Sequence, residues 1–173
     1  VACRIKLFDL LWKGGAYAFN ANTTGQTPTS FSSRVPGGTD FTDTQIWLEQ
    51  VTAGTGVQNV AVTYLDQGNV SSTTGTVAAP AAMIVGRCFQ LPLAAGDTGV
   101  QGVTGVVGSV ATAGTFNILV VRPIWSGRVK IANDGDVHDY AKTGMPIIYE
   151  NSALMMLVAP DSTATGIPEL ELV

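Results

Sequence analysis

Charged residues, histidine and cysteine are all scarce in this sequence of 173 residues. Lys, Arg, Asp and Glu together make up only 13% of the chain, about half the usual share, and the formal net charge is -4. An acidic chain with nine Lys and Arg residues lacks the cationic surface that nucleic-acid binding requires, so we expect no nucleic-acid partner. With 46% hydrophobic residues, the composition also excludes a disordered chain and a coiled coil. It indicates instead that other subunits cover part of the surface.

The sequence has two cysteines and no long apolar run. Cys3 and Cys88 are too few for a disulfide framework and lack the spacing of a zinc site, so we predict two buried free thiols. Arg122 and Glu150 interrupt the two most hydrophobic stretches before either reaches the length of a membrane-spanning helix. We therefore expect no membrane-spanning segment.

Two-residue alternation of apolar and polar side chains is the main pattern. It occurs along residues 45–51 and again along 57–64, with a short glycine-containing loop between them. The pattern predicts an antiparallel β-hairpin over about residues 45–65. A turn is predicted to follow at Asp66-Gln67-Gly68-Asn69.

Eight further segments have the character of strands, separated by Gly, Pro, Asn and Asp residues. They are residues 2–8, 83–91, 100–110, 116–125, 128–131, 146–149, 153–159 and 169–173. Only residues 7–13 are predicted to form a short helical turn. Eight to ten short strands predict an all-β fold, an antiparallel β-sandwich of the jelly-roll type with long loops, as a single domain over residues 1–173.

Three polar, glycine-rich segments are predicted to be long loops, at residues 21–40, 67–82 and 133–144. Loops of this length usually form functional surfaces or become ordered by a partner. The first contains Phe31 and Arg34, and we expect it to be ordered by neighbouring subunits. Its deletion is then expected to abolish binding and to leave the fold intact.

Glycine recurs at every third position from Gly96 to Gly108, with valines in between. A collagen helix needs proline in the intervening positions and many more triplets. The pattern therefore predicts a strand that another backbone approaches closely, or that bends.

No catalytic motif is present. The phosphate-binding loop, the dinucleotide fingerprint and the nucleophile elbow are all missing. The single histidine, His138, lies between Asp136 and Asp139, where it could act as a general base, or where Asp134 and these two carboxylates could hold a cation. A solvated turn, in which Asn and Asp side chains cap their own backbone, explains the same pattern and is the interpretation we prefer.

Two other groups of residues give weak indications of a chemical function. Glu49 and Glu150 could pair as the carboxylates of a glycosidase if the fold brings them together. Trp12, Trp47 and Trp125 could form a sugar-stacking platform, although residues of this kind more often anchor a core or an interface. The sequence therefore predicts no catalytic, cofactor-binding or metal-binding residues.

Several segments resemble virion proteins of tailed bacteriophages. Leu7-Phe8-Asp9-Leu10-Leu11-Trp12 is similar to the aromatic-Asp-x-Leu-Trp opening of such proteins. The strands Ile46-Trp47-Leu48-Glu49 and Val60-Ala61-Val62-Thr63-Tyr64 fit the same pattern. So does Leu93-Ala94-Ala95-Gly96-Asp97-Thr98-Gly99-Val100, which precedes a strand rich in Val, Thr and Gly. Together these segments cover roughly residues 7–125.

The resemblance implies a non-enzymatic structural protein of the phage particle, such as a head decoration (cement) protein. Proteins of that kind are often jelly-roll trimers on the outside of the capsid, so the implied partners are the major capsid protein or other virion subunits. The resemblance supplies no catalytic residues and no cofactor. Two alternatives remain open: a secreted carbohydrate-binding β-sandwich that uses exposed Trp and Tyr, and a hydrolase centred on His138.

Overall fold

The computed structural model describes residues 3–20, 22–23, 30–79, 83–109, 113–129 and 144–160. These residues form ten strands: β1 (Cys3–Ala18), β2 (Asn22–Thr23), β3 (Gln45–Thr52), β4 (Gln58–Asp66), β5 (Ser71–Thr73), β6 (Val77–Ala79), β7 (Cys88–Leu91), β8 (Val100–Gly108), β9 (Thr115–Val129) and β10 (Leu154–Pro160). The only helical turns among them are two single 3-10 turns, Ser32–Arg34 and Pro36–Gly38. No helix in these ranges is long and apolar enough to cross a membrane.

The chain divides into two compact units, and β1 and β9 contribute residues to both. We call Leu10–Arg122 the sandwich unit, because it contains both faces of a two-sheet core. The second unit combines Val1–Asp9 with Pro123–Val173, and we call it the β10 unit.

Two antiparallel sheets form the sandwich unit. Within this unit, one sheet has the order β1, β9, β3, β7, and the other has the order β2, β8, β4, β5, with β6 also paired to β4. Inward-facing side chains of both sheets form one apolar core, which includes Ile46, Leu48, Val60, Val62, Tyr64, Val103, Val106, Phe116, Ile118 and Val120. The prediction of an antiparallel β-sandwich is confirmed, whereas the jelly-roll connectivity stays a prediction.

The predicted hairpin over residues 45–65 is wrong, although both of its strands exist. β3 pairs with β7 and β9, while β4 pairs with β5, β6 and β8, so the two strands lie in opposite sheets. The physical reason is that each strand has an apolar face, and these faces become buried when the strands lie across the sandwich from one another. The loop between them therefore crosses from one sheet to the other.

The tight hairpin in this region joins β4 to β5 instead of β3 to β4. Leu65 lies opposite Ser71, and the predicted turn at residues 66–69 joins the two strands. Asp66 Oδ1 accepts hydrogen bonds from the backbone amides of Gly68 and Val70, both at 2.8 Å. This Asx-type turn confirms the turn prediction. The predicted long loop at 67–82 is wrong, because β5 and β6 interrupt it.

The glycine-rich segment forms β8, and two of its glycines meet other backbones. A Cβ atom at Gly108 would collide with the carbonyl oxygen of Phe19, and one at Gly99, just before the strand, would collide with the carbonyl oxygen of Phe41. The expected close backbone approach is thus confirmed at these two positions.

The structure corrects several smaller predictions of local secondary structure. Residues 7–13 lie within β1, so the predicted helical turn is wrong; partners in the sheet override a local sequence that would suit a helix. Residues 116–125 and 128–129 belong to one continuous strand, β9, and residues 146–149 form no strand. The strand predicted at 169–173 lies outside the described residues.

In the β10 unit, β10 pairs with the first half of β1. The antiparallel register places Ile5 opposite Val158 and Leu7 opposite Met156. The fully buried carboxylate of Asp9 accepts hydrogen bonds from Ser152 Oγ at 2.8 Å and from the Ala153 amide at 3.0 Å. Asp9 therefore fixes the chain just before β10 begins.

Candidate interaction surfaces

The described part of the predicted partner loop at residues 21–40 is packed into the protein. Phe31 is only 4% exposed and stacks edge-on against Phe41, and Arg34 Nη2 donates to the carbonyl oxygen of Leu10 at 2.5 Å. The prediction that Phe31 and Arg34 await a neighbouring subunit is wrong, because contacts within the sandwich unit already fix them. Deleting the whole segment would remove part of the core.

The segment Leu93–Val100, one of those that carry the phage resemblance, forms a loop tied to the core. The Tyr64 hydroxyl donates to Asp97 Oδ2 at 2.6 Å and accepts from the Ala94 amide at 2.9 Å. Burial raises the pKa of Tyr64, and its bond to the Asp97 carboxylate raises it further. Tyr64 therefore stays neutral and can remain a donor throughout the physiological pH range.

Two polar side chains fix the end of the same loop. Gln67 Oε1 accepts from the amides of Thr98 and Gly99 at 2.9 and 3.2 Å. The buried Thr44 hydroxyl accepts from the Val100 amide at 2.6 Å and donates to the carbonyl oxygen of Phe41 at 2.7 Å. The motif thus serves to position a loop, and the described contacts give it no catalytic arrangement.

A polar cluster lies on the first sheet of the sandwich unit, around Glu49. Its carboxylate pairs with Lys13 Nζ at 2.8 Å and accepts from Asn117 Nδ2 at 2.7 Å. Burial opposes ionisation, but the bonds from Lys13 and Asn117 hold the pKa of Glu49 below its usual value. Glu49 is therefore an ionised, engaged carboxylate, which is unsuited to act as a general acid.

Cys88 lies opposite Glu49 in the register of β3 and β7. Burial raises the pKa of its thiol, and the negative charge of Glu49 raises it further. A nucleophilic cysteine needs the opposite shift, so this thiol is poorly reactive. Cys3 and Cys88 are both free; Cys3 is buried as predicted, and Cys88 is half-buried.

The tryptophans do not provide the exposed platform of the carbohydrate-binding alternative. Trp47 is buried at 8% exposure, Trp12 packs partly buried against the sandwich core, and Trp125 is half-buried. The burial of Trp47 and the packing of Trp12 fit the preferred interpretation, in which such residues anchor a core. Glu150 is exposed in the β10 unit.

His138 lies outside the described residues, as do Asp134, Asp136 and Asp139. The base, cation-site and turn hypotheses for this segment therefore stay predictions. Across the residues that the structure describes, no three His, Cys, Asp or Glu side chains are grouped closely enough to hold a metal ion.

The sandwich unit exposes large apolar side chains at the loops that join its sheets. We call Val57, Ile84 and Val85 the apolar tip; they are 59%, 62% and 63% exposed. Their loops are hydrogen-bonded to each other, since the Gly54 amide donates to the carbonyl oxygen of Met83 at 3.0 Å. The sequence predicted residues 83–91 as one strand, and the missed signal was Gly86, which sits in a turn at φ 78°.

The β10 unit exposes a second apolar surface. Leu154, Met156 and Val158 alternate along β10 and are 43%, 39% and 37% exposed; we call them the β10 strip. The sequence places a strand here but gives no sign of an open face, because LMMLVAP is apolar on both faces and such strands are usually buried on both sides.

Comparisons with known proteins add no relative. No family model, no curated protein and no solved structure matches the chain. Support for a function therefore comes from the two apolar surfaces, the polar clusters and the sequence itself.

Proposed function

We propose that this protein is a non-enzymatic structural protein of a bacteriophage particle: a homotrimeric decoration protein that binds the outside of the capsid. The observation that carries the proposal is the apolar tip, in which Val57, Ile84 and Val85 are each about 60% exposed on adjoining loops. Soluble proteins seldom hold several large apolar side chains together in water without a partner that covers them.

The turn that carries Ile84 and Val85 is held rigidly by the backbone of β3. The Gly86 amide donates to the carbonyl oxygen of Gln50 at 2.8 Å, and the Gln50 amide donates to that of Arg87 at 2.9 Å. A further bond closes the turn, from the Arg87 amide to the carbonyl oxygen of Ile84 at 3.3 Å. Because the turn is already ordered, burying its side chains against a partner costs little conformational entropy.

Gln50 also braces the neighbouring loops from inside the sandwich. Its side chain is fully buried, and Nε2 donates to the carbonyl oxygen of Thr52 at 2.6 Å. Side chains at Gly54 and Gly114 would crowd this amide, since a Cβ atom at either position would lie 3.0 Å from Nε2. Because these two positions are glycines, three loops can pack closely around Gln50. This packing supports the apolar tip.

The low charge of this chain favours a partner that is itself a protein lattice. With 13% charged residues, the chain has little with which to form an electrostatic interface. Burial of apolar surface, worth roughly 25 cal/mol per Å², would have to supply most of the binding energy. Binding of this kind changes little with ionic strength, whereas contacts between charged surfaces weaken as salt is added.

The test is co-sedimentation of the purified protein with capsids of the phage that encodes it, at low and at high salt. We expect saturable binding that persists at high salt. Val85→Lys should weaken it at least tenfold, because it places a charge in the apolar contact. The matched control is Val70→Lys, since Val70 is 62% exposed at the β4–β5 turn, away from the apolar tip.

Two results would overturn the proposal. One is the absence of binding by the wild-type protein to capsids that lack it. The other is equal binding by Val85→Lys and wild type, which would remove the apolar tip from the interface. Circular dichroism of both variants would verify that the β-sheet signal is retained.

A further inference from the structure

A lysine, an asparagine and a glutamate from three neighbouring strands meet on the first sheet of the sandwich unit. Lys13 lies on β1, Asn117 on β9 and Glu49 on β3, and these strands follow one another in the order β1, β9, β3. The ion pair between Lys13 and Glu49 therefore spans β9. Asn117 lies directly opposite Glu49 in the register of β3 and β9, so its carboxamide is on the strand between the two charged groups.

One carboxylate oxygen connects the lysine to the asparagine. Glu49 Oε2 is 2.8 Å from Lys13 Nζ and 2.7 Å from Asn117 Nδ2, so the two nitrogen atoms are no farther apart than the sum of these distances. The carboxamide also lies against the backbone of β1, because a Cβ atom at Gly15 would collide with Asn117 Oδ1. The amine of Lys13 and the carboxamide of Asn117 are thus neighbours that share one carboxylate.

From this arrangement we infer that Lys13 and Asn117 form an isopeptide bond within the chain, with Glu49 as the proton carrier. A lysine amine is a nucleophile toward carbonyl carbons, and a carboxylate within hydrogen-bond distance can move the protons. The sheet holds the reacting groups together, which replaces a rare encounter in solution. This modification site is separate from the apolar tip and does not depend on the proposed capsid binding.

The reaction joins the two side chains and releases one ammonium ion. Lys13 Nζ gives a proton to Glu49 and bonds to Asn117 Cγ, and the bond between Cγ and Nδ2 breaks. Of the three protons of the lysine ammonium group, one stays on the new amide and two reach the departing nitrogen. Glu49 Oε2 contacts both nitrogen atoms, so it can carry these protons and ends as the carboxylate it was. Charge is conserved, and no oxidant or reductant is needed.

The surroundings of the three side chains limit hydrolysis and make the reaction slow. Asn117 is only 8% exposed, so water has little access to its carboxamide. Burial opposes the ionisation of Glu49, but the bonds from Lys13 and Asn117 keep its pKa low, so the proton stays mostly on the ammonium group. Cys88 lies opposite Glu49 on β7, and burial and the charge of Glu49 raise the pKa of its thiol, so it is neutral near pH 7. Freshly purified protein at neutral pH therefore holds the ion pair, and the bond accumulates in alkaline solution, which removes the proton from the amine.

The test is the mass of the denatured protein after several days of incubation at about pH 7 and about pH 9. We expect the wild type to lose the mass of one ammonia molecule, faster at the higher pH. Digestion with trypsin should then release residues 7–34 joined to residues 88–128, with the link located by fragmentation at Lys13 and Asn117. A wild type that keeps its full mass at both pH values overturns the inference.

Lys13→Arg is the matched control, because it keeps the positive charge beside Glu49 and removes the nucleophilic amine. It should keep its full mass. Loss of ammonia from Lys13→Arg at the wild-type rate would mean that an asparagine cyclises onto its own backbone, and would overturn the inference. Glu49→Gln removes the proton carrier and should slow the reaction at least about tenfold. An unchanged rate in Glu49→Gln overturns the role of Glu49.

The folded sheet is required for the reaction. In urea the wild type should keep its full mass, because Lys13 and Asn117 are then separated by a long flexible chain; an equal rate in urea overturns the inference. Once formed, the bond closes the chain from Lys13 to Asn117 into a loop and lowers the entropy of the unfolded state. The bonded protein should therefore melt about 10 °C above Lys13→Arg.

Discussion

Tyr64 and Asp97 are joined by a 2.6 Å hydrogen bond from the phenol to Oδ2, which ties a core residue to a surface loop. The ring of Tyr64 belongs to the sandwich core, while its oxygen also accepts from the Ala94 amide. One side chain therefore contributes both to packing and to loop position. The loop at residues 93–99 and the core should consequently lose stability together.

Tyr64→Phe should lower the free energy of unfolding by about 1–3 kcal/mol, because it leaves the Ala94 amide and the Asp97 carboxylate without this partner. Urea denaturation would measure the change. In a double-mutant cycle with Asp97→Ala, the combined loss should be smaller than the sum of the single losses. Strict additivity would show that the two residues are not coupled.

Gly99→Ala should be among the most damaging small substitutions in the chain. The new methyl group would collide with the carbonyl oxygen of Phe41, and a backbone atom cannot rotate away as a flexible side chain can. We expect a loss of about 3 kcal/mol or more in the free energy of unfolding. Gly68→Ala is the control, since its Cβ would meet Asp66 Oδ1 at an ordinary 3.4 Å; a similar loss in both variants would contradict the assignment.

Lys13→Met should reduce stability only where Glu49 is ionised. Because the folded-state pKa of Glu49 is lowered, its contribution is present above the unfolded value of 4.5 and is lost as the pH falls through the folded pKa. At neutral pH we expect a loss of about 0.5–1 kcal/mol, since Lys13 is half-exposed. Urea denaturation at about pH 7 and about pH 3 should show the difference from wild type shrinking in acid. A constant difference would contradict it.

The Cys88 thiol should react slowly with iodoacetamide in the folded protein. Burial and the nearby Glu49 charge both raise its pKa, so little thiolate is present near neutral pH. Mass spectrometry of labelled peptides should show several-fold slower labelling than in the urea-unfolded chain. Glu49→Gln should speed labelling because it removes the repelling charge, whereas the exposed Asp43→Asn should not; identical rates in all three proteins would contradict the electrostatic cause.

The alternation of side chains was enough to predict which faces of β3 and β4 are buried. It did not predict their pairing partners, because a loop of about five residues can turn back within one sheet or cross to the other. Ile46 and Val60 face inward in either arrangement. The choice is decided by the partners, such as Val120 opposite Ile46, which lie far away in the sequence.

The candidate surfaces were harder to predict than the fold. Phe31 in a polar segment looked like a residue kept for a partner, yet it fills the core beside Phe41. Met156 belongs to a segment that was predicted only to be a strand, with no indication of an open face, and it is exposed. In both cases the burial of the side chain depends on where other strands end, which the local composition does not indicate.

The distant partners of β3 also bear on how the chain folds. Glu49 of β3 meets Asn117 of β9 across 68 residues, and no tight turn joins β3 to either neighbouring strand. Loop closure over such distances costs entropy before any contact compensates for it, so folding is expected on the millisecond-to-second scale typical of sandwiches. During synthesis, β3 would emerge long before β9, and the edge of β3 that pairs with β9 would remain unpaired until about two-thirds of the chain had been made.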